Sequence, residues 1–398
     1  MIRYRAAWVL PIASPPIAGG VVSVDGDLIT SVGEYEGGAA QDLGNVAILP
    51  GLVNAHTHLE LSWMRGKVPP SASMPAWAAS LMALRRTVSH EPAEPIVDAI
   101  AEARSTGTSL VGDVTNTFAT YQLLVDAQLS AALFRELLGF AATDPDAVID
   151  VAARQFAELT PVAWLRPSIV PHAPYSVSPA LLRAIARASA GKPVSIHLGE
   201  SAQEIEFLQS GTGEWRALLE SLGVWNPSWT APACGPVEYL ERQGLVTDRL
   251  LAVHGVRFGA DDLNRLKKVD ATLVTCPRSN RWTGAGDPPI QRFYASGVRV
   301  AIGTDSLASV EDLNMFTEMA EIRRLAPSVP ASRVLESATL AGARALDFGD
   351  ELGSITPGKR ADLIAVRLPA GRRDVEEYLL SGIARPDVTW LSGQKPNP

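Results

Sequence analysis

Apolar residues recur along this chain with two different periods. The first fifty residues read as short alternating runs broken by glycine and proline. Within them, Gly20-Val-Val-Ser-Val-Asp-Gly-Asp-Leu-Ile-Thr-Ser-Val predicts a β-hairpin turning at Asp25-Gly26. The far end is similar: Gly353-Ser-Ile-Thr-Pro-Gly-Lys-Arg-Ala-Asp-Leu-Ile-Ala-Val reads as a turn and a strand, and Val388-Thr-Trp-Leu-Ser-Gly as another. Between the ends, apolar β-branched runs fall at 47–58, 109–115, 131–138, 166–172, 193–197, 250–254, 272–276 and 298–304. They alternate with stretches of helical period such as Ile96-Val-Asp-Ala-Ile-Ala-Glu-Ala-Arg and Pro179-Ala-Leu-Leu-Arg-Ala-Ile-Ala-Arg-Ala. Eight such alternations over about 300 residues predict an α/β fold, a (β/α)8 TIM barrel. A doubly wound sheet is the second choice, but no G-x-G-x-x-G follows a first strand. Two β-rich ends around one long middle predict a small β-sandwich domain built from both termini. The expected units are 1–50 and 350–398 for that domain and 51–349 for the barrel.

The histidines change the picture from fold to chemistry. Of six, His56, His58, His172, His197 and His254 fall at the C-terminal ends of predicted strands, the rim where barrels carry their active sites. His90 lies in a polar stretch and receives no role. His56 and His58 are two apart, so strand alternation sends both rings to one side. Asp305 follows the last strand in Ile302-Gly-Thr-Asp-Ser. A lone histidine at a strand end is usually a satisfied polar residue. Imidazoles and a carboxylate converging from several strands instead suit a divalent transition metal. Glu200, three residues after His197, is the candidate proton carrier; on its own it would read as a glutamate favoured by a helix N-terminus.

Composition then narrows the partners. The chain has 398 residues, and 35 Lys+Arg against 43 Asp+Glu give a net charge of −8. That balance, without a basic run, argues against nucleic acid. No apolar stretch reaches the roughly 20 residues of a membrane span. Cys234 and Cys276 provide no disulfide framework. The N-terminus loosely imitates a signal peptide, but Pro11 and Pro15-Pro16 interrupt it, so a cytoplasmic location is expected.

Pro50-Gly-Leu-Val-Asn-Ala-His-Thr-His-Leu closely resembles the strand-one signature of the amidohydrolase superfamily. His197-Leu-Gly-Glu-Ser, Val253-His-Gly-Val, Cys276-Pro-Arg-Ser-Asn and Gly303-Thr-Asp-Ser-Leu-Ala-Ser resemble its nucleoside and nucleobase deaminase branch. His56-Thr-His-Leu-Glu-Leu-Ser and Arg135-Glu-Leu-Leu-Gly-Phe carry the resemblance towards the 6-aminodeoxyfutalosine deaminases of menaquinone biosynthesis. The resemblance implies one divalent metal, Zn2+ first with Fe2+ or Mn2+ as alternatives, on His56, His58, His197 and Asp305. It implies catalytic roles for Glu200, His254 and Asp305, a role for His172 either at the substrate or in supporting the residues around the metal, and a homodimer. No lysine occurs between Lys67 and Lys192, so the fourth strand has no candidate bridging lysine for a second metal.

The reaction implied is water attack on an adenine-type ring with loss of ammonia. On chemical grounds Glu60 and Ser62 are candidates for ribose hydroxyls and Arg135 and Arg278 for a substrate carboxylate, with Ser279 and Asn280 as polar contacts. Rim support and loop capping are the ordinary alternatives for these residues. Trp215, Trp225 and Trp229 suggest a lid, although packing is the commoner use of such a cluster. Alternatives are a deaminase of S-adenosylhomocysteine, methylthioadenosine or another aminopurine, a triazine-type chlorohydrolase, and, from another class, a non-catalytic scaffold.

Overall fold

A computed structural model describes residues 1–371, 374–383 and 388–392. Eight strands of the middle section form two parallel four-stranded sheets. The first contains β1 (Leu52–Thr57), β2 (Thr108–Thr115), β3 (Ser130–Leu137) and β4 (Leu165–Pro171) in sequential order. The second contains β5 (Val194–Leu198), β6 (Leu250–His254), β7 (Thr272–Thr275) and β8 (Arg299–Ile302), again sequential. Helices connect successive strands and bury their apolar faces on the sheets. The one over Pro179–Ala188 shows the local logic: Ser178 caps it by accepting from the Leu181 N–H, Pro179 opens it, and Leu181, Leu182 and Ile185 face inward. Strands covered in this way read as nearly unbroken apolar runs, which is how they were visible in the sequence.

The two sheets meet at two seams. At one, the His197 N–H donates to the His172 carbonyl at 3.0 Å. At the other, the N–H groups of Thr304 and Asp305 donate to the His56 carbonyl at 3.1 and 3.0 Å. The buried Asn54 side chain ties the same seam, accepting from the Thr304 N–H and donating to Thr304 Oγ1. Gly303 lets the chains approach there: a Cβ on it would stand 2.7 Å from the His56 carbonyl oxygen.

The run at 47–58, expected as one strand, is two. Val46–Pro50 pairs antiparallel with Leu363–Arg367 in a five-stranded sheet of the terminal regions, and only Leu52–Thr57 joins the parallel sheet. The switch comes at Gly51, where a Cβ would meet the Ser109 side chain at 2.5 Å. An unbroken apolar run conceals this, because both strands are buried. The expected hairpin is present, with Gly20–Asp25 antiparallel to Leu28–Glu34 in a second terminal sheet. Val22, Val24, Ile29, Ile48, Leu363 and Ala365 from the two sheets share one buried cluster. Val388–Ser392 pairs with Leu363–Arg367, whereas the final residues 393–398 lie outside the described residues. Among the described residues no helix is long and apolar enough to cross a membrane.

Replacement of Gly303 by alanine is expected to lower stability by about 1–3 kcal/mol, because the backbone oxygen opposite cannot swing away. Thermal unfolding measures this; an unchanged melting temperature would show that the seam is slack.

Candidate active site

The C-terminal strand ends converge on one buried centre. His56 lies within β1, His58 just after it, His197 within β5 and His254 at the end of β6. Asp305 follows β8. Nε2 of His197 stands 3.2 Å from Nε2 of His56 and 3.4 Å from Nε2 of His58. Asp305 Oδ1 is 3.5 Å from His58 Nε2 and 3.9 Å from His56 Nε2. Four donors bound at about 2.0–2.1 Å to one tetrahedral ion would stand about 3.4 Å apart. The four separations, 3.2–3.9 Å, lie about that value. His56, His58 and Asp305 form one group that could hold an ion and His56, His197 and His254 another, and a donor set of imidazoles and a carboxylate suits a divalent one.

Electrostatics point the same way. Burial holds His56 and His58 well below the usual histidine range, reinforced by the neighbouring rings, and lowers His197 to about 4. All three are thus neutral, with lone pairs available to a ligand. Burial raises Asp305 to about 6, against hydrogen bonds from Ser279 and Ser309 that favour its charged form. Asp305 (φ 62°) and His254 (φ 78°) both occupy the left-handed region, which is strained for side chains of this kind. The Asp305 backbone is pinned by its N–H to the His56 carbonyl and by Thr57 Oγ1 donating to its own carbonyl.

Glu200 follows β5 at a turn, fully buried, with Oε1 3.7 Å from His254 Nε2. Burial pushes its carboxyl well above the usual range, and the charges of Asp305 and Glu204 add to this. His254 is held low by burial, so burial favours the uncharged form of both acid and ring. Asn280 fixes that ring through Nδ1 at 2.8 Å, leaving Nε2 towards Glu200. The turn itself is held from the following helix, Ala202–Ser210. Glu204 accepts from the Gly199 and Glu200 N–H groups at 2.8 and 2.9 Å, while Ser201 caps the helix.

A cavity of about 770 Å³ opens above this centre. His58, His172, His197, Glu200, His254 and Asp305 form its polar floor, and Met74, Trp77, Leu81, Phe140 and Leu219 much of its apolar wall. Several residues expected at the substrate do not line it. Glu60 is consumed by Arg85, Thr115, Asn116 and Thr117, and Ser62 donates to the Leu59 carbonyl. Arg135 bonds Gln155 and the Glu136 carbonyl, and Arg278 pairs with Asp312 and Glu311. Ser279 and Asn280 stand behind the floor, on Asp305 and His254. Trp215 does line the cavity, stacked on Tyr175 at 3.7 Å, whereas Trp225 and Trp229 pack on Phe140 and Phe207. Sequence reading missed Glu136, Asn116 and the helix Met74–Arg85, all in the wall. The Arg85-Arg86 pair was the available signal for that helix.

A model of the amidohydrolase family matches residues 47–394. A 5-methylthioadenosine/S-adenosylhomocysteine deaminase of Nitratidesulfovibrio vulgaris strain Miyazaki F is 32% identical over 83% of this chain and 73% of its own length. An aminodeoxyfutalosine deaminase of Deinococcus radiodurans is 31% identical over 77% and 75%. Among solved structures, a zinc-bound adenosine deaminase from Xanthomonas campestris superposes with TM-score 0.82 at 27% identity, covering 98% of this chain and 91% of its own. Helicobacter pylori aminofutalosine deaminase in complex with methylthio-coformycin gives 0.86 at 24% identity, covering 98% and 97%, and speaks to the fold alone. Family and neighbours imply a TIM-barrel fold.

Glu204→Gln places an amide N–H against a backbone N–H and is expected to cost about 1–3 kcal/mol. Thermal unfolding tests it; full wild-type stability would mean that the turn does not rely on this carboxylate. The chain belongs to the amidohydrolase family and is a hydrolase acting on carbon–nitrogen bonds.

Proposed function

We propose that this chain is a metal-dependent hydrolytic deaminase of an adenine-type nucleoside, with 6-aminodeoxyfutalosine as its first candidate substrate and menaquinone biosynthesis as its setting. The observation that carries the reading is a buried Glu200–His254 pair, 3.7 Å apart, beside three imidazoles and Asp305, on the floor of a mostly apolar cavity. A carboxyl held protonated in such a site can donate to a ring nitrogen. In the proposed assignment His56, His58, His197 and Asp305 hold one divalent ion, Zn2+ first. When bound, that ion supplies a nucleophile from water at neutral pH. Glu200 protonates the ring nitrogen next to the amino-bearing carbon. Asp305 takes a proton from the attacking water, and His254 steadies the oxygen that adds. A new carbon–oxygen bond forms, and Asp305 passes its proton to the exocyclic nitrogen. The carbon–nitrogen bond then breaks to release ammonia, and the proton left on the added oxygen returns to Glu200 as the carbonyl forms. Cavities of roughly 300–1,000 Å³ accommodate small organic ligands, which leaves room here for a nucleoside with a sizeable 5′ substituent.

A second reading, 5-methylthioadenosine or S-adenosylhomocysteine as substrate, is favoured by the apolar wall of Met74, Leu81 and Leu219 and by the name of the Nitratidesulfovibrio relative. The reading includes closure of the eight strands into a barrel, supported by the two seams, and a terminal β-sandwich with borders at 50/51 and 349/350. It also includes the cytoplasmic location and the homodimer expected above.

Glu200→Gln is expected to reduce kcat by about 10²–10⁴-fold with metal content unchanged. Ammonia release and the adenine-to-hypoxanthine absorbance change, over a panel of the three nucleosides and a chlorotriazine, give the readout. Retained turnover would remove Glu200 from the mechanism; chloride release without nucleoside turnover would overturn the deaminase reading.

A further inference from the structure

One carboxylate in the cavity wall has no part in the chemistry above. Glu136, on β3, is buried and lines the cavity beside Asn116, His172 and Ser176. Its Oε2 accepts from the Asn116 side-chain amide at 2.9 Å. Its Oε1 accepts no hydrogen bond among the described residues and stands 3.9 Å from Nδ1 of His197, a buried atom that itself has no partner. An oxygen of Glu136, a ring nitrogen of His172 and one of His197 lie within 4.8 Å of one another. Ser176 Oγ holds the His172 ring through Nδ1 at 2.6 Å.

A second cation fits this group poorly. His197 turns Nε2 to the first cluster, so Nδ1 carries the ring hydrogen and would have to lose it to bind another ion. What the group offers is an acceptor oxygen with donor groups beside it. The ring nitrogens of adenine are acceptors and would be repelled by a carboxylate, and the exocyclic amine is the group lost at the reacting centre. The sugar, by contrast, presents two adjacent hydroxyl donors that can also accept.

We infer that Glu136, supported by Asn116 and His172, forms a hydroxyl-binding subsite that takes the 2′,3′-diol of the nucleoside. The inference rests on the deaminase reading. It moves sugar recognition from Glu60, whose carboxylate is fully engaged, to β3.

The metal-loaded enzyme is assayed with adenosine, 2′-deoxyadenosine and 3′-deoxyadenosine, and the binding of inosine and 2′-deoxyinosine is measured by calorimetry. Wild-type enzyme is expected to prefer the ribonucleoside by about 10- to 100-fold in kcat/KM for loss of a hydrogen bond to a charged group. Glu136→Gln is expected to bring the ribo-to-deoxy ratio towards one, chiefly through KM, and to narrow the inosine preference in parallel. Equal handling of ribo- and deoxynucleosides by the wild type overturns the inference without recourse to any variant. So does a Glu136→Gln protein that weakens towards all of them alike, the signature of a structural role. Failure of the parent reading looks different: no nucleoside would release ammonia from wild-type enzyme, and the subsite would fall with it.

Discussion

Three ring nitrogens and a carboxylate oxygen crowd together, with neighbouring separations of 3.2–3.9 Å, on side chains that are almost wholly buried. Uncompensated, this is expensive: lone pairs point at lone pairs, and burial disfavours relieving the strain by protonating the rings. A single positive ion at their centre resolves the conflict, because each lone pair then has a partner. The same burial that favours the neutral form of the rings favours the protonated form of Glu200. One physical condition, exclusion of water from the strand ends, thus prepares both the ligand set and the acid.

Holding such a group requires rigidity, and the fold supplies it through backbone rather than through long side chains. His56 offers its carbonyl to two successive N–H groups, of Thr304 and Asp305, so the first and last strands fix two members of the cluster together. The left-handed residues His254 and Asp305 mark where strand direction is surrendered to aim a side chain. Behind them stand Asn280 on His254, Ser279 on Asp305 and Glu204 on the Glu200 turn. Partners of this kind set ring orientation and carboxylate direction as firmly as the ligands themselves.

Much of this was legible in the sequence, for a physical reason. Parallel strands covered on both faces read as apolar runs, and polar residues at their C-terminal ends stand out against them. His56, His58, His197, His254, Glu200 and Asp305 were singled out in that way. The cavity wall was not legible. Arg135 and Glu136 are adjacent on β3, so their side chains leave opposite faces, and the sequence alone favoured the cation. Arg135 turns away towards Gln155, while Glu136 faces the cavity. Glu60 and Arg278 do not line the cavity, and the partners that hold them there, Arg85 and Asp312, come from other segments of the chain. The change of sheet at Gly51 was hidden because both flanking strands are fully buried and the residues on either side of it are apolar.

The central claim is that these strand ends grip one ion. X-ray diffraction from crystals of the metal-loaded protein, collected on both sides of the zinc absorption edge, addresses it directly. The account predicts a single strong anomalous peak per chain, enclosed by His56, His58, His197 and Asp305. Two peaks of comparable height, or a peak seated elsewhere with these four side chains turned apart, would contradict it.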